Sequence, residues 1–322
     1  MMLTLAQAGD GTFWFPAQAA ENAAKVDDLF YFVLYVSVFF FLLIMTILSI
    51  FVIRYRRREG VEPEKSPSHN TVLEIVWSVI PTALVVYMFY TGFVGYLEKR
   101  TPPTDAYEVN VTAQKWSWNF TYPNGHTTNV LHLPVGVQSQ MLMTSEDVIH
   151  SFFVPAFREK MDVLPGRYTK AWFTPTMVGT FDLFCAEYCG TQHSEMITKV
   201  VVHPQDGPDS FENWLREDSD FLSKLSPVEG GKKVYQLRGC GQCHSLDGTS
   251  GNGPTFKDVW GTERALADGS TALFDENYVR ESILKPKAKV LAGYEPVMPT
   301  FQGRIKDAEI TALIAFLKSL EQ

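Results

Sequence analysis

Two thiols, an imidazole and a thioether lie within twelve residues, in Cys185-Ala-Glu-Tyr-Cys189-Gly-Thr-Gln-His193-Ser-Glu-Met196. Thiolate and thioether are soft ligands, and imidazole suits copper, zinc and iron alike. One cysteine followed by a histidine and a methionine would make a mononuclear blue-copper loop. A second cysteine four residues earlier puts two thiolates on one turn, enough to bridge a pair of copper ions. A structural zinc loop is the competing reading; Met196 weighs against it, because zinc does not select a thioether. His150 sits at the centre of the strand-like run Val148-Ile-His150-Ser-Phe-Phe-Val154. Alone it would be a core histidine, but beside the cysteine loop it becomes the best-placed further ligand for a second copper. His126, His132 and His203 stand in polar or strand-end contexts and are assigned no ligand role, and His69 reads as a surface residue.

The other two cysteines form Cys240-Gly-Gln-Cys243-His244. C-x-x-C-H is the pattern of c-type haem attachment, in which both thiols add to the vinyl groups and the adjacent imidazole ligates iron. A redox C-x-x-C is the alternative, and the histidine that follows counts against it. Beyond His244 the chain has no other histidine and a single methionine, Met298, in Pro296-Val-Met298-Pro-Thr. Met298 is therefore the expected sixth ligand, with lysine as the formal alternative. A Met/His pair raises the haem potential. With every cysteine in one of two close pairs beside a histidine, the pattern is two cofactor sites and not a disulfide framework.

These sites need elements to carry them, and 322 residues suggest two or three domains. The net charge of −8 argues against a nucleic-acid binder and fits a partner with a basic face. Residues 1–27 form a short mixed segment without signal-peptide organisation, so a signal has been removed or the first span inserts unaided. An uncharged run from Leu29 to Ile53 is long enough to cross a bilayer, and Arg54-Tyr-Arg56-Arg57-Arg58 marks its cytoplasmic end. A second apolar stretch, Val72 to Leu97, contains Pro81, which membrane helices tolerate. Residues 28–98 are thus expected to be a two-helix transmembrane hairpin with both ends outside. Glu74, near the cytoplasmic end of the second span, has two readings: part of a proton path, or a carboxylate reaching the headgroups. Short alternating runs such as Tyr107-Glu-Val-Asn-Val111 and Lys199-Val-Val-Val-His203, punctuated by Pro, Gly and Asn, predict an all-β sandwich over 104–205. Residues 206–228 read as an acidic linker. Within it Asp209 to Leu225 has the spacing of one amphipathic helix, with Phe211, Trp214, Leu215, Phe221 and Leu222 on its apolar side and its acidic residues on a solvated face. In the last segment, 229–322, Ile310, Leu313, Ile314 and Leu317 recur at helical spacing between Asp307 and Leu320.

The Cys185–Met196 loop with His150, the hairpin and the sandwich resemble subunit II of cytochrome c oxidase over about residues 20–205, which implies a cupredoxin-like fold around a dinuclear copper A centre. The resemblance implies that Cys185 and Cys189 bridge the coppers, that His150 and His193 take one copper each, and that Met196 and the Glu187 carbonyl cap them. It also implies that the Glu187 side chain helps to hold magnesium at the contact with subunit I. Lys115-Trp116-Ser117-Trp118-Asn-Phe120 is similar to the family's aromatic segment, whose first tryptophan admits electrons; that maps onto Trp116. The family usually has tyrosine where this chain has Ser117, so the surface where electrons enter differs. By the residues alone, Trp116 and Trp118 would be ordinary packing. Leu73-Glu-Ile-Val-Trp77-Ser-Val-Ile-Pro81 resembles the segment at the mouth of a proton channel, which places Glu74 there. Residues 229–322 resemble an all-α class I cytochrome c.

Together the pieces resemble oxidases of the caa3 type, with a cytochrome c fused to subunit II. That implies electron flow from a cytochrome c donor through haem c and copper to subunit I, among other membrane subunits, where oxygen is reduced and protons are pumped. It also implies a prokaryotic plasma membrane with the copper and haem domains on the periplasmic side. A copper A-containing nitric oxide reductase would use the same carriers. A membrane-anchored copper-delivery protein would have no use for the haem motif, and a quinol oxidase subunit would lack Cys185 and Cys189.

Overall fold

A computed structural model of the chain describes residues 11–60, 62, 67–249 and 251–321. Residues 1–10 of the expected outer segment lie outside this range. The chain divides into two compact units, Asn22–Pro102 on one side and Met1–Glu21 with Pro103–Gln322 on the other.

The first unit is a pair of helices, α1 (Ala23–Arg54) and α2 (Thr71–Arg100), each long and apolar enough to cross a membrane. They run antiparallel: Lys25 pairs with Glu98 at 2.8 Å, and the Phe32 and Tyr87 rings meet edge to face at 5.1 Å. Most of their Phe, Ile, Leu and Val side chains point outward and stay exposed, an arrangement that suits lipid or an apolar partner surface and not water. Asn70 caps α2 by accepting the Leu73 N–H at 3.2 Å. The Glu74 carboxylate accepts the Asn70 N–H at 3.1 Å, so the start of the helix is closed reciprocally. Pro81 lies inside α2 without ending it.

The second unit contains two hydrophobic cores. The first lies between two five-stranded sheets. In chain order the strands are β1 (Tyr107–Gln114), β2 (Ser117–Thr121), β3 (Thr127–Thr128), β4 (Leu131–Pro134), β5 (Ser139–Ser145), β6 (His150–Val154), β7 (Glu159–Val163), β8 (Thr169–Phe173), β9 (Gly179–Cys185) and β10 (Ile197–His203). One sheet has the order β3-β2-β1-β5-β8 and the other β4-β10-β9-β6-β7. Alternation sends Val109, Val111 and Ala113 of β1 inward, where they meet Trp118, Phe120, Met141, Met143, Phe152 and Phe173. This is the expected cupredoxin-like sandwich.

The predicted single linker helix is two helices, α3 (Phe211–Ser219) and α4 (Phe221–Lys224), broken at Asp220. The reason is that its apolar residues serve different cores. Phe211, Trp214 and Leu215 join the sandwich, whereas Phe221 and Leu222 join the C-terminal core. One straight amphipathic face cannot cover both.

The C-terminal part carries α5 (Pro227–Leu237), a short ribbon of β11 (Glu263–Ala265) and β12 (Thr271–Leu273), α6 (Glu276–Leu284) and α7 (Asp307–Lys318). Ser226 and Glu229 form a capping box that starts α5. Ile310, Leu313, Ile314 and Leu317 are all buried on α7, as their spacing requires. A Cβ on Gly231 would lie 2.0 Å from the Ala312 carbonyl oxygen, so only glycine lets α5 and α7 cross this closely.

Candidate metal and haem sites

Strand register builds the first site. Phe152 of β6 pairs with Cys185 at the end of β9, and the Ala186 N–H donates to the Ser151 carbonyl at 2.9 Å. His150 is thereby carried to the mouth of the loop that joins β9 to β10. The loop is closed at its base by a hydrogen bond from the Cys185 N–H to the Met196 carbonyl, 3.2 Å. Inside it the Cys185 and Cys189 sulfurs are 3.8 Å apart. His150 Nδ1 lies 3.8 Å from Cys185 Sγ, and His193 Nδ1 3.6 Å from Cys189 Sγ. The Glu187 carbonyl oxygen is 3.2 Å from Cys185 Sγ, and Met196 Sδ 3.8 Å from Cys189 Sγ. All six donors expected from the sequence converge. His150, Cys185, Cys189 and Met196 are buried; Glu187 is exposed.

Two thiols this close do not both ionise without compensating positive charge. Burial alone would raise Cys185, but hydrogen bonds with His150 and with the Glu187 and Ser151 backbones, together with the His150 charge, outweigh it and bring the thiol down to about 6. Burial and the Cys185 charge push Cys189 up to about 12. A cation between the sulfurs removes that conflict. Three sulfurs, two imidazoles and a carbonyl form a donor set that fits copper.

Asp147 is a functional residue that sequence reasoning missed. Its Oδ1 accepts from His150 Nε2 at 2.9 Å and from the Val148 N–H at 2.7 Å, and its Oδ2 accepts the Lys115 N–H at 2.7 Å. Burial alone would raise the carboxyl, but these bonds hold it below its usual range. An ionised Asp147 fixes the proton of His150 on Nε2 and turns Nδ1 toward the sulfurs. Its place three residues before a candidate ligand was the available signal.

Trp116 packs against the same loop. A Cβ on Gly190, which has φ +126°, would sit 3.0 Å from Trp116 Cζ2. Both the backbone conformation and the contact demand glycine. Gly190→Ala is expected to cost about 1–3 kcal/mol of stability, read as earlier loss of the copper chromophore in a denaturant titration.

The second site is a cleft of about 1300 Å³ including its open mouth, lined by Cys240, Cys243, His244 and Met298. The cysteines and His244 come from a single 3₁₀ turn and the residues after it. His244 Nδ1 donates to the Pro254 carbonyl at 2.8 Å, and the ring stacks on Phe256 with centroids 4.4 Å apart. That leaves Nε2 to face a metal. Burial lowers the His244 pKa, which keeps the imidazole neutral as a ligand must be. A Cβ on Gly253 would come within 2.7 Å of the His244 ring. Arg238 Nε and Nη1, Asn252 Nδ2 and Trp116 Nε1 border the cleft, buried and with no hydrogen-bond partner among the described residues. Unpaired buried donors in an apolar cleft fit a large apolar ligand with acidic substituents, as haem is. One wall of the cleft is Gln114–Ser117, the turn from β1 to β2 of the sandwich, so Trp116 touches both sites.

The three histidines assigned no ligand role lie elsewhere. His132 Nδ1 and His203 Nε2 are 2.8 Å apart, and the His132 ring stacks on Trp214 at 3.9 Å. His126 Nε2 bonds Asp218 at 2.9 Å, and Asp218 also pairs with Lys233. Asp218 therefore departs from the solvated face expected of the linker's acidic residues. Glu74 is engaged at the start of α2, a contact its sequence context did not announce.

A membrane hairpin, a cupredoxin-like domain with a six-donor soft-metal loop and a C-x-x-C-H helical domain define a membrane-anchored electron-transfer subunit. Family profiles match in the same order: "Cytochrome C oxidase subunit II, transmembrane domain" over residues 8–93, "Cytochrome C oxidase subunit II, periplasmic domain" over 124–203, and "Cytochrome c" over 228–321. Cytochrome c oxidase subunit 2 of Thermostichus vulcanus is 33% identical, covering 63% of this chain and 78% of its own length. The protein of the same name from Alkalihalophilus pseudofirmus is 30% identical over 87% of this chain and 82% of its own. Among solved structures, the periplasmic domain of cytochrome oxidase subunit II of Bradyrhizobium japonicum aligns over 39% of this chain and all of its own, with 26% identity and a TM-score of 0.34. The chain belongs to the cytochrome c oxidase subunit II family, in the form with a fused C-terminal cytochrome c domain that fits the caa3 type.

Proposed function

We propose that the chain takes electrons from an external cytochrome c-type donor and delivers them, through its own haem c and copper A sites, to subunit I of a haem–copper oxidase. The convergence of three sulfurs, two imidazoles and one carbonyl oxygen in and beside one loop carries this reading. Residues 104–205 would hold the copper pair through the thiolates of Cys185 and Cys189, the imidazoles of His150 and His193, the Met196 thioether and the Glu187 carbonyl. Residues 229–322 would hold the haem through Cys240 and Cys243, with His244 and Met298 as the iron ligands. When bound, the two cofactors supply one-electron storage without bond-making at the protein. The protein's part is to exclude water, fix the ligands before the metal changes charge, and span the gap. Trp116 does the last, since it borders the haem cleft and packs on Gly190 of the copper loop.

The exposed Glu187 side chain would help to hold magnesium at subunit I, and Glu74, whose carboxylate also accepts the Asn70 N–H, would stand at the mouth of a proton path. Arg54 at the end of α1 and Arg56, Arg57 and Arg58 after it support a cytoplasmic side for that end, and with it copper and haem domains on the outer face of a prokaryotic plasma membrane. Electron paramagnetic resonance of the purified chain should show one electron shared over two coppers beside a low-spin c-haem. Oxygen uptake driven by reduced cytochrome c should depend on the chain. Zinc at Cys185 and Cys189, or uptake indifferent to the chain, rules the reading out.

A further inference from the structure

The wall that Gln114–Ser117 lends to the haem cleft is tied down by one side chain from the C-terminal part. Arg304, between Met298 and α7, donates from Nη1 to Gln114 Oε1 at 2.8 Å and forms an ion pair with Glu146. Gln114 is buried, and its amide is aligned by donating from Nε2 to Ser117 Oγ at 3.2 Å. Ser117, which stands where the family usually has tyrosine, thus turns the Gln114 carbonyl oxygen toward Arg304. Two neighbours of these partners already have assignments: Asp147, next to Glu146, orients His150, and Trp116 lies between Gln114 and Ser117. A second polar contact joins the same two parts of the molecule. Asp218 of α3 bonds His126 of the sandwich and Lys233 of α5. Because α3 is itself packed on the sandwich through Phe211 and Trp214, the linker has little slack. Charge-assisted hydrogen bonds of this kind fix geometry as well as adding energy.

We propose that Arg304, through Gln114, Ser117 and Glu146, is the positioning residue that holds the haem cleft in one pose against Trp116. The tethered domain then passes electrons from a fixed seat and not by repeated encounter. The inference rests on the relay reading above.

The test is photoreduction of the haem in the intact oxidase complex, with haem and copper absorbance followed together. In the native protein, haem-to-copper transfer should be one phase, insensitive to viscosity and to salt. In Arg304→Ala it should slow by about tenfold or more, the scale expected for losing charge-assisted hydrogen bonds at a half-buried site, and become viscosity-dependent with both cofactor spectra unchanged. Exchanging the charges in the double variant R304E with E146R should recover only the part of the rate that rests on the ion pair, because a carboxylate at 304 cannot donate to Gln114 Oε1. Should Arg304→Ala fail to assemble, Glu146→Gln, which keeps the shape, carries the same expectation in smaller measure. Native-like transfer in variants with intact spectra, or a native rate that already falls with viscosity, overturns the fixed seat. Intact haem and copper spectra in the native protein with no transfer between them would instead sink the relay itself.

Discussion

Replacing Cys189 by serine is expected to abolish the dinuclear copper signal and leave the c-haem spectrum untouched. Cys189 Sγ lies within 3.8 Å of Cys185 Sγ, His193 Nδ1 and Met196 Sδ, so with Cys185 it stands at the centre of the cage. A hydroxyl at that place is a hard, protonated group that cannot bridge two soft ions. Loss of a direct ligand should exceed the roughly 10–100-fold cost of removing an outer partner, so oxygen uptake driven by reduced cytochrome c should fall to background. The haem is attached through a separate turn in a separate core, and its absorbance reports that the chain still folds. A residual two-copper signal in Cys189→Ser would place the bridge elsewhere.

Met298→Ala should leave the haem attached but convert it from low spin to high spin. In the proposed site attachment rests on Cys240 and Cys243, which the change does not touch, and His244 keeps its bond to the Pro254 carbonyl. Met298 borders the same cleft, in a loop stiffened by Pro296 and Pro299. Without the thioether the reduced haem should bind carbon monoxide. Its potential should drop by on the order of a tenth of the roughly 0.8 V that axial ligands span, and a haem so lowered holds a different share of the electron at equilibrium with copper. Spectral titration of potential, with and without carbon monoxide, reads both effects. An unchanged low-spin spectrum would show that another residue, lysine first among them, is the ligand.

Much of this protein was legible in the order of its residues because the chemistry is local. Cys185, Cys189, His193 and Met196 share one loop, and Cys240, Cys243 and His244 one turn, so spacing alone groups them. Span length and the arginines after Ile53 likewise act over short stretches. What only the tertiary structure decided is which distant segments meet. His150, 35 residues before Cys185, reaches the loop because β6 pairs with β9 in the register that sets Phe152 opposite Cys185. Asp147 becomes the orienting carboxylate only after that pairing, and the linker helix breaks at Asp220 because two cores compete for its apolar face. The haem cleft takes a wall from β1–β2, and Arg304 lies 190 residues from the glutamine it grips. Ligand identity follows from side-chain chemistry at close spacing. The meeting of the two sites depends on sheet register and packing between far parts of the chain, and no local pattern encodes it.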